Sequence, residues 1–177
     1  LSKSKDIAIA AALAVAIVPA VAHADTIGTI DVSLNITSAC VINGAAALQP
    51  NAGTVGAIRF PDQPGIFGAV DAELVGTGGT GALSVLCSPG VSPKLTIGSG
   101  THDAGGRRQL AYNGTSIPYR LFSDASRTTE IGIGQQIALP LATGSAAVVP
   151  IYSRINGAGY VLPAGAYADT VQVTLTW

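Results

Sequence analysis

The chain has 177 residues, nine Lys and Arg against ten Asp and Glu, and a formal net charge of -1. Only 11% of residues are charged while 48% are hydrophobic, which excludes an intrinsically disordered chain, and nine scattered cations make no basic stripe for nucleic acid. Few Lys and Glu, with 22 Gly and 10 Pro, exclude a coiled coil or a long helical bundle.

The first element is a targeting segment. Lys3 and Lys5 precede an uncharged apolar stretch, Ile7 to Val21, and Ala22-His23-Ala24 has the small-x-small pattern of a signal-peptidase site. A basic start, an apolar stretch of about 15 residues and such an end predict a secretory signal peptide over 1–24. The alternative is a membrane anchor, for which the stretch is short and is interrupted by Pro19. Cleavage after Ala24 would leave seven cations and nine anions, a net of -2. Export also gives Cys40 and Cys87, the only cysteines, an oxidising compartment in which bridging is favoured. The alternative is two buried free thiols. His102 would be the single histidine past the cleavage site, which leaves no ligand set for zinc.

Past the leader the periodicity is that of strands. Ile30, Val32, Leu34 and Ile36 alternate with Asp31, Ser33, Asn35 and Thr37. Further strands are predicted at Ala57 to Phe60, Val70 to Val75, Leu83 to Cys87, and around Leu95 and Ile97. The Asn113-Gly114 turn signal introduces another around Tyr119 and Leu121. Ile131 to Leu141, Ala146 to Ile155 and Val171 to Trp177 complete the set. Many short strands with turn signals between them predict an all-β sandwich in one domain.

Signals for chemistry are weak. Gly76 to Gly81 matches G-x-G-x-x-G, but a strand follows it where a dinucleotide fingerprint needs a helix. His102 and Asp103 are adjacent in a Gly-flanked loop and cannot hold a nucleophile in line. Arg107-Arg108 is too short for a basic patch. No catalytic, metal or cofactor residues are assigned, and no enzyme, nucleic-acid partner or small-molecule substrate is expected.

The two ends say more. The N-terminal strand must bury Ile30, Val32, Leu34 and Ile36 either in its own sheet or in a neighbour's, by β-strand addition. Val171, Val173, Leu175 and Trp177 share one face of the last strand, which has no later strand to pair with. An edge of that kind is a liability unless another chain covers it.

Gly28 to Thr37 followed by Cys40, Val55 to Phe60, Leu83 to Cys87, Tyr119 to Thr128 and Gly165 to Leu175 occur in an order that resembles subunits of archaic chaperone–usher pili, the spore coat protein U domain family. The resemblance spans nearly the whole chain past the leader. It implies an incomplete immunoglobulin-like β-sandwich, residues 39–177, completed by a donor strand from a neighbouring subunit. Residues 25–38 would be that donor, with Gly28, Ile30, Val32, Leu34 and Ile36 in one register. Val171, Val173 and Leu175 would edge the acceptor groove, and Cys40–Cys87 would tie the region just after the donor segment to the sandwich. Implied partners are identical or related subunits, a periplasmic chaperone and an outer-membrane usher. The implied role is a structural pilin of an extracellular adhesive fimbrium, used in surface attachment and biofilm formation. A self-contained secreted spore-coat-type structural or binding protein is the alternative. Trp177 is a departure, being larger than many members carry there. In a single chain the N-terminal segment is expected to pack poorly, because donor and groove belong to different copies.

Overall fold

The computed structural model describes residues 26–43, 51–79 and 81–177. The expected signal peptide lies outside them. The chain divides into two units, Leu1–Asn35 and Ile36–Trp177.

In the first unit, the described residues 26–35 take no helix or strand. Alternation alone does not make a strand. The backbone groups of a strand need a partner, and without one an apolar ladder has nothing to pack on.

The second unit is all β among its described residues, with eleven strands in three hydrogen-bonded sheets. They are β1 (Cys40–Ile42), β2 (Gly56–Ile58), β3 (Ala69–Gly76), β4 (Leu83–Cys87), β5 (Lys94–Ile97), β6 (Gln109–Tyr112), β7 (Thr115–Phe122), β8 (Gln136–Ala138), β9 (Ala147–Val149), β10 (Tyr152–Asn156) and β11 (Val173–Thr176). The five-stranded sheet runs β2-β3-β10-β7-β6. The three-stranded sheets run β1-β4-β9 and β11-β5-β8. All named pairs are antiparallel. Leu74, Ile117, Leu121 and Ile155 from the five-stranded sheet join Leu83, Val85, Leu95, Ile97 and Val149 from the other two in one core. The fold is thus two layers facing one another across apolar side chains.

Local sequence explains most of the boundaries. β4 reads buried, half-buried, buried, exposed, buried, which is the period-2 pattern of Leu83-Ser84-Val85-Leu86-Cys87. The β6–β7 hairpin closes at Asn113 and Gly114, both at positive φ (45° and 77°), as a tight hairpin turn requires. Two expectations need adjusting. The stretch Ala146 to Ile155 is two strands in different sheets, because Pro150 has no N–H to continue a ladder. Within Ile131 to Leu141 only Gln136–Ala138 pairs as a strand. The strands β1 and β6 carried no independent signal in the sequence.

Candidate assembly interface

Cys40 and Cys87 face one another in the β1–β4 register and are joined by a disulfide, both nearly fully buried. No cysteine is free. The bond fastens the first strand of the sandwich, three residues after Thr37, to the centre of its sheet.

Upstream of it, the alternating segment is exposed. Ile30 and Val32 are each 90% exposed, Leu34 83% and Ile36 81%, and Gly28 is exposed as well. Isolated exposed apolar residues are ordinary, but four in strict alternation, at positions 30, 32, 34 and 36, have the spacing of one strand face although the segment pairs with no sheet.

At the other end, β11 pairs with β5 along one edge, Val173 opposite Ile97 and Leu175 opposite Leu95. It is the outer strand of its sheet, so no strand among the described residues covers its other edge. Val171, Val173 and Leu175 pack against the core yet remain half-buried. Thr174 and Thr176 face solvent, and Trp177 is 53% exposed.

How the last segment reaches that position is a matter of specific contacts. Gly165 leaves room for the Tyr112 ring, which would occupy the place of a side chain there. The Tyr167 ring lies 5.6 Å from that of Tyr112. Ala168 exchanges N–H···O bonds with Ala111, next to β6 in the five-stranded sheet. From Thr170 onward the chain pairs instead with the opposite layer, Thr101 N–H donating to Thr170 O at 3.0 Å and Gly98 N–H to Gln172 O at 2.8 Å. Between these two ladders the backbone changes layers, and the Asp169 carboxylate supplies further acceptors. Its side chain is 1% exposed. Oδ1 accepts from the N–H of Thr101 at 2.9 Å and of His102 at 3.1 Å, and from the Thr101 hydroxyl at 2.9 Å. Oδ2 accepts from the Tyr119 hydroxyl at 2.7 Å.

Burial works to raise the Asp169 pKa. The bonds from Tyr119, Thr101, His102 and Thr170 outweigh it and hold the carboxyl below 3.8. The same burial, with the bond to Asp169, pushes the Tyr119 phenol well above its usual value. Gly100, at φ +101°, is required beside this carboxylate. Any Cβ there would fall on the Asp169 side chain. So the glycine, tyrosine and aspartate of the closing motif form a clamp that lays down β11.

Thr101, His102 and Asp169 also resemble a relay by composition. The geometry is different. Thr101 Oγ1 and Asp169 Oδ1 both lie 3.2 Å from the same ring nitrogen, Nδ1 of His102. A relay needs nucleophile and carboxylate on opposite nitrogens, so the trio serves the clamp. Asp103 takes no part in it. Among the described residues no group of three or more His, Cys, Asp or Glu is placed to hold a metal ion.

The motif from Ser123 to Thr128 is likewise structural. Asp124 accepts from the N–H groups of Thr128 and Thr129. Those two bonds, Thr128 first, lower its pKa to about 2. The turn places Arg127 in the left-handed region (φ 56°) and sends its guanidinium to Ser153 O, to Asp71 at 3.3 Å and over the Tyr152 ring.

Sequence reasoning missed one buried residue, Arg108, which is 3% exposed. Its guanidinium donates to the carbonyls of Gly98, Ile131, Ile97 and Gly132. No local signal marked it, because β6, which begins at the next residue, carried none of its own.

The Spore Coat Protein U domain family matches residues 26–174. Protein U of Myxococcus xanthus is 32% identical over 178 residues, covering 95% of this chain and 93% of that protein. Among solved structures, the complex of the chaperone CsuC with the tip adhesion subunit CsuE, from archaic chaperone–usher Csu pili of Acinetobacter baumannii, superposes with a TM-score of 0.51 at 15% identity. The match covers 80% of this chain and 40% of that one, so the chain spans less than half of its length. The P pilus rod subunit PapA is matched over 77% of this chain and 97% of its own, at 18% identity and a TM-score of 0.40. The chain belongs to the Spore Coat Protein U domain family, and its fold is that of the immunoglobulin-like pilus-subunit sandwich.

Proposed function

We propose that this member of the Spore Coat Protein U domain family is a structural pilin that polymerises by donor-strand exchange. Each copy carries an exposed segment of alternating apolar residues at 28–36 and a strand edge, β11, with half-buried side chains. The observation that carries the reading is the exposure of Ile30, Val32, Leu34 and Ile36, between 81% and 90%. Burying four such side chains in a neighbour's groove contributes about 6–12 kcal/mol before ordering costs, at roughly 1.5–3 kcal/mol each. Main-chain pairing with the edge beside Val171, Val173 and Leu175 sets the register.

The route to the fibre follows from the same incompleteness. An apolar edge of this kind aggregates if left open. A periplasmic chaperone therefore holds the subunit until an outer-membrane usher passes it to the growing fibre, which ends outside the cell as an adhesive pilus supporting attachment and biofilm. Identical or related subunits are the lasting partners, and no substrate or cofactor is needed. A self-contained secreted coat-type protein is the second reading, favoured by the near full-length likeness to Protein U.

Deleting residues 25–37 separates the two. A pilin without its donor is still captured by the chaperone but forms no ladder on unboiled, non-reducing SDS gels. Fibres from the truncated chain would overturn the donor assignment. A stable intact monomer isolated without any chaperone would favour the second reading. Filaments imaged on producing cells should disappear when Ile30 and Val32 are replaced by Asp.

A further inference from the structure

The outer face of the five-stranded sheet concentrates the little positive charge this chain has. A surface cleft of about 510 Å³ is lined there by Arg107, Arg108, Arg120, Arg154, Asn156 and Tyr160, among others. Of the nine Lys and Arg, Lys3 and Lys5 precede the described residues, and four of the other seven line this cleft. Of the ten Asp and Glu, only Glu130 lines it. The chain as a whole carries a net charge of -1, so the cleft is a local reversal of sign.

The arrangement is also poorly neutralised. Arg154 and Arg120 are direct partners across the β10–β7 pair. Like charges placed opposite each other are destabilising in a sheet. Asp71, the β3 partner of Arg154, accepts two bonds from it at 2.6 and 2.8 Å, but shares the same oxygen with Arg127. Arg120 has only Glu130, at 3.3 Å, and both side chains are largely exposed, 67% and 45%. Exposed pairs of this kind contribute little and yield readily to a competing anion. Arg107 is exposed and has no acidic partner among the described residues. Beneath them the buried Arg108 is held by carbonyl dipoles, with no carboxylate in contact, and adds a fixed positive field to the floor.

The geometry points to a binding site for an acidic saccharide, a uronate-type sugar. Guanidinium groups form paired bonds to a carboxylate. The Asn156 side-chain oxygen already accepts from the Ala158 N–H at 3.1 Å, which leaves its amide nitrogen as a donor for a ring hydroxyl. Tyr160, 37% exposed at the same cleft, offers an apolar ring face to the sugar C–H groups. The cavity volume lies within the range of small-molecule sites. The site is complete within a single copy and does not rest on polymerisation.

The test is affinity electrophoresis of the intact chain in the form in which it is isolated, free or held by its chaperone with the chaperone alone as the blank, in gels holding polygalacturonate or neutral dextran. The chain should be retarded by polygalacturonate and run freely in dextran. Retardation should be lost between 0.1 and 1 M salt, as the screening length falls from about 10 to about 3 Å. Arg107→Gln and Arg120→Gln, both at exposed positions, should each weaken binding about three- to tenfold. Arg59→Gln, an exposed cation outside the cleft, should leave it unchanged. Circular dichroism checks that each variant is folded. No retardation by polygalacturonate, equal retardation by dextran, or equal weakening by Arg59→Gln would overturn the site. Displacement by inorganic phosphate as effective as by monomeric galacturonate would reduce it to a plain anion site and overturn the saccharide assignment.

Discussion

Replacing Tyr119 by Phe removes one oxygen from the clamp and leaves the ring in place. The lost hydroxyl donates at 2.7 Å to Oδ2 of Asp169, whose side chain is 1% exposed, and Tyr119 itself is 7% exposed. Water cannot readily replace that donor. A buried hydrogen bond to a charged acceptor contributes about 1.5–3 kcal/mol. In a domain of this size each kcal/mol moves the melting temperature by about 2–4 °C, so Tyr119→Phe should lower it by about 3–12 °C at pH 7. The pH dependence follows from the direction of the Asp169 shift. The folded carboxyl sits below 3.8, so its contribution is fully present above the unfolded value and is lost as pH falls through the folded one. Without the Tyr119 hydroxyl the folded pKa moves up, and the loss begins at a higher pH. Thermal unfolding followed by circular dichroism from pH 7 to pH 2, on both proteins, measures both effects. A melting temperature unchanged within about 1 °C at pH 7 would show that the hydroxyl is satisfied elsewhere and that the clamp is not what holds the layer crossing. An unshifted acid limb would remove Asp169 from the explanation. Because the clamp positions β11, the same variant should also form shorter ladders on unboiled gels.

Gly100→Ala should destabilise more than Tyr119→Phe, since it adds a Cβ at φ +101° in the space of the Asp169 carboxylate. The comparison of melting temperatures decides it. Replacing Cys40 and Cys87 by Ala should cost about 4 kcal/mol, from opening a loop with a separation of 47 residues. That would appear as a urea midpoint lower by about 2 M, and an unchanged midpoint would contradict it. Asp124→Asn should flatten the acid limb between pH 3.8 and about 2, because the native carboxylate is held down by the Thr128 and Thr129 amides. Urea midpoints across that range provide the measurement.

Several strands were legible because their signal is local. The Leu83-Ser84-Val85-Leu86-Cys87 alternation and the Asn113-Gly114 turn each express a backbone preference of a few neighbouring residues, and both appear as read. The residues of the closing motif, Gly165, Tyr167 and Asp169, were visible only as a resemblance. Their partners, Tyr112, Tyr119 and Thr101, lie 50 or more residues away in sequence, and no period in the chain links them. Arg108 shows the limit most plainly. As half of a short Arg-Arg pair it reads as a surface charge, and its neighbour Arg107 is one. Only the meeting of Gly98, Ile97, Ile131 and Gly132 carbonyls around it makes burial affordable for a cation.

The sequence by itself determined the all-β class, the two cysteines available for one bridge, and the two apolar faces at the ends. Alternation and turn chemistry act over two to four residues and survive without knowledge of the fold. Tertiary structure alone decided that Cys40 lies opposite Cys87, that the stretch around Pro150 divides between two sheets, and that β11 crosses layers on a buried carboxylate. Those outcomes depend on which distant backbone groups find one another, and a hydrogen bond across 50 residues leaves no periodic trace in the chain that makes it.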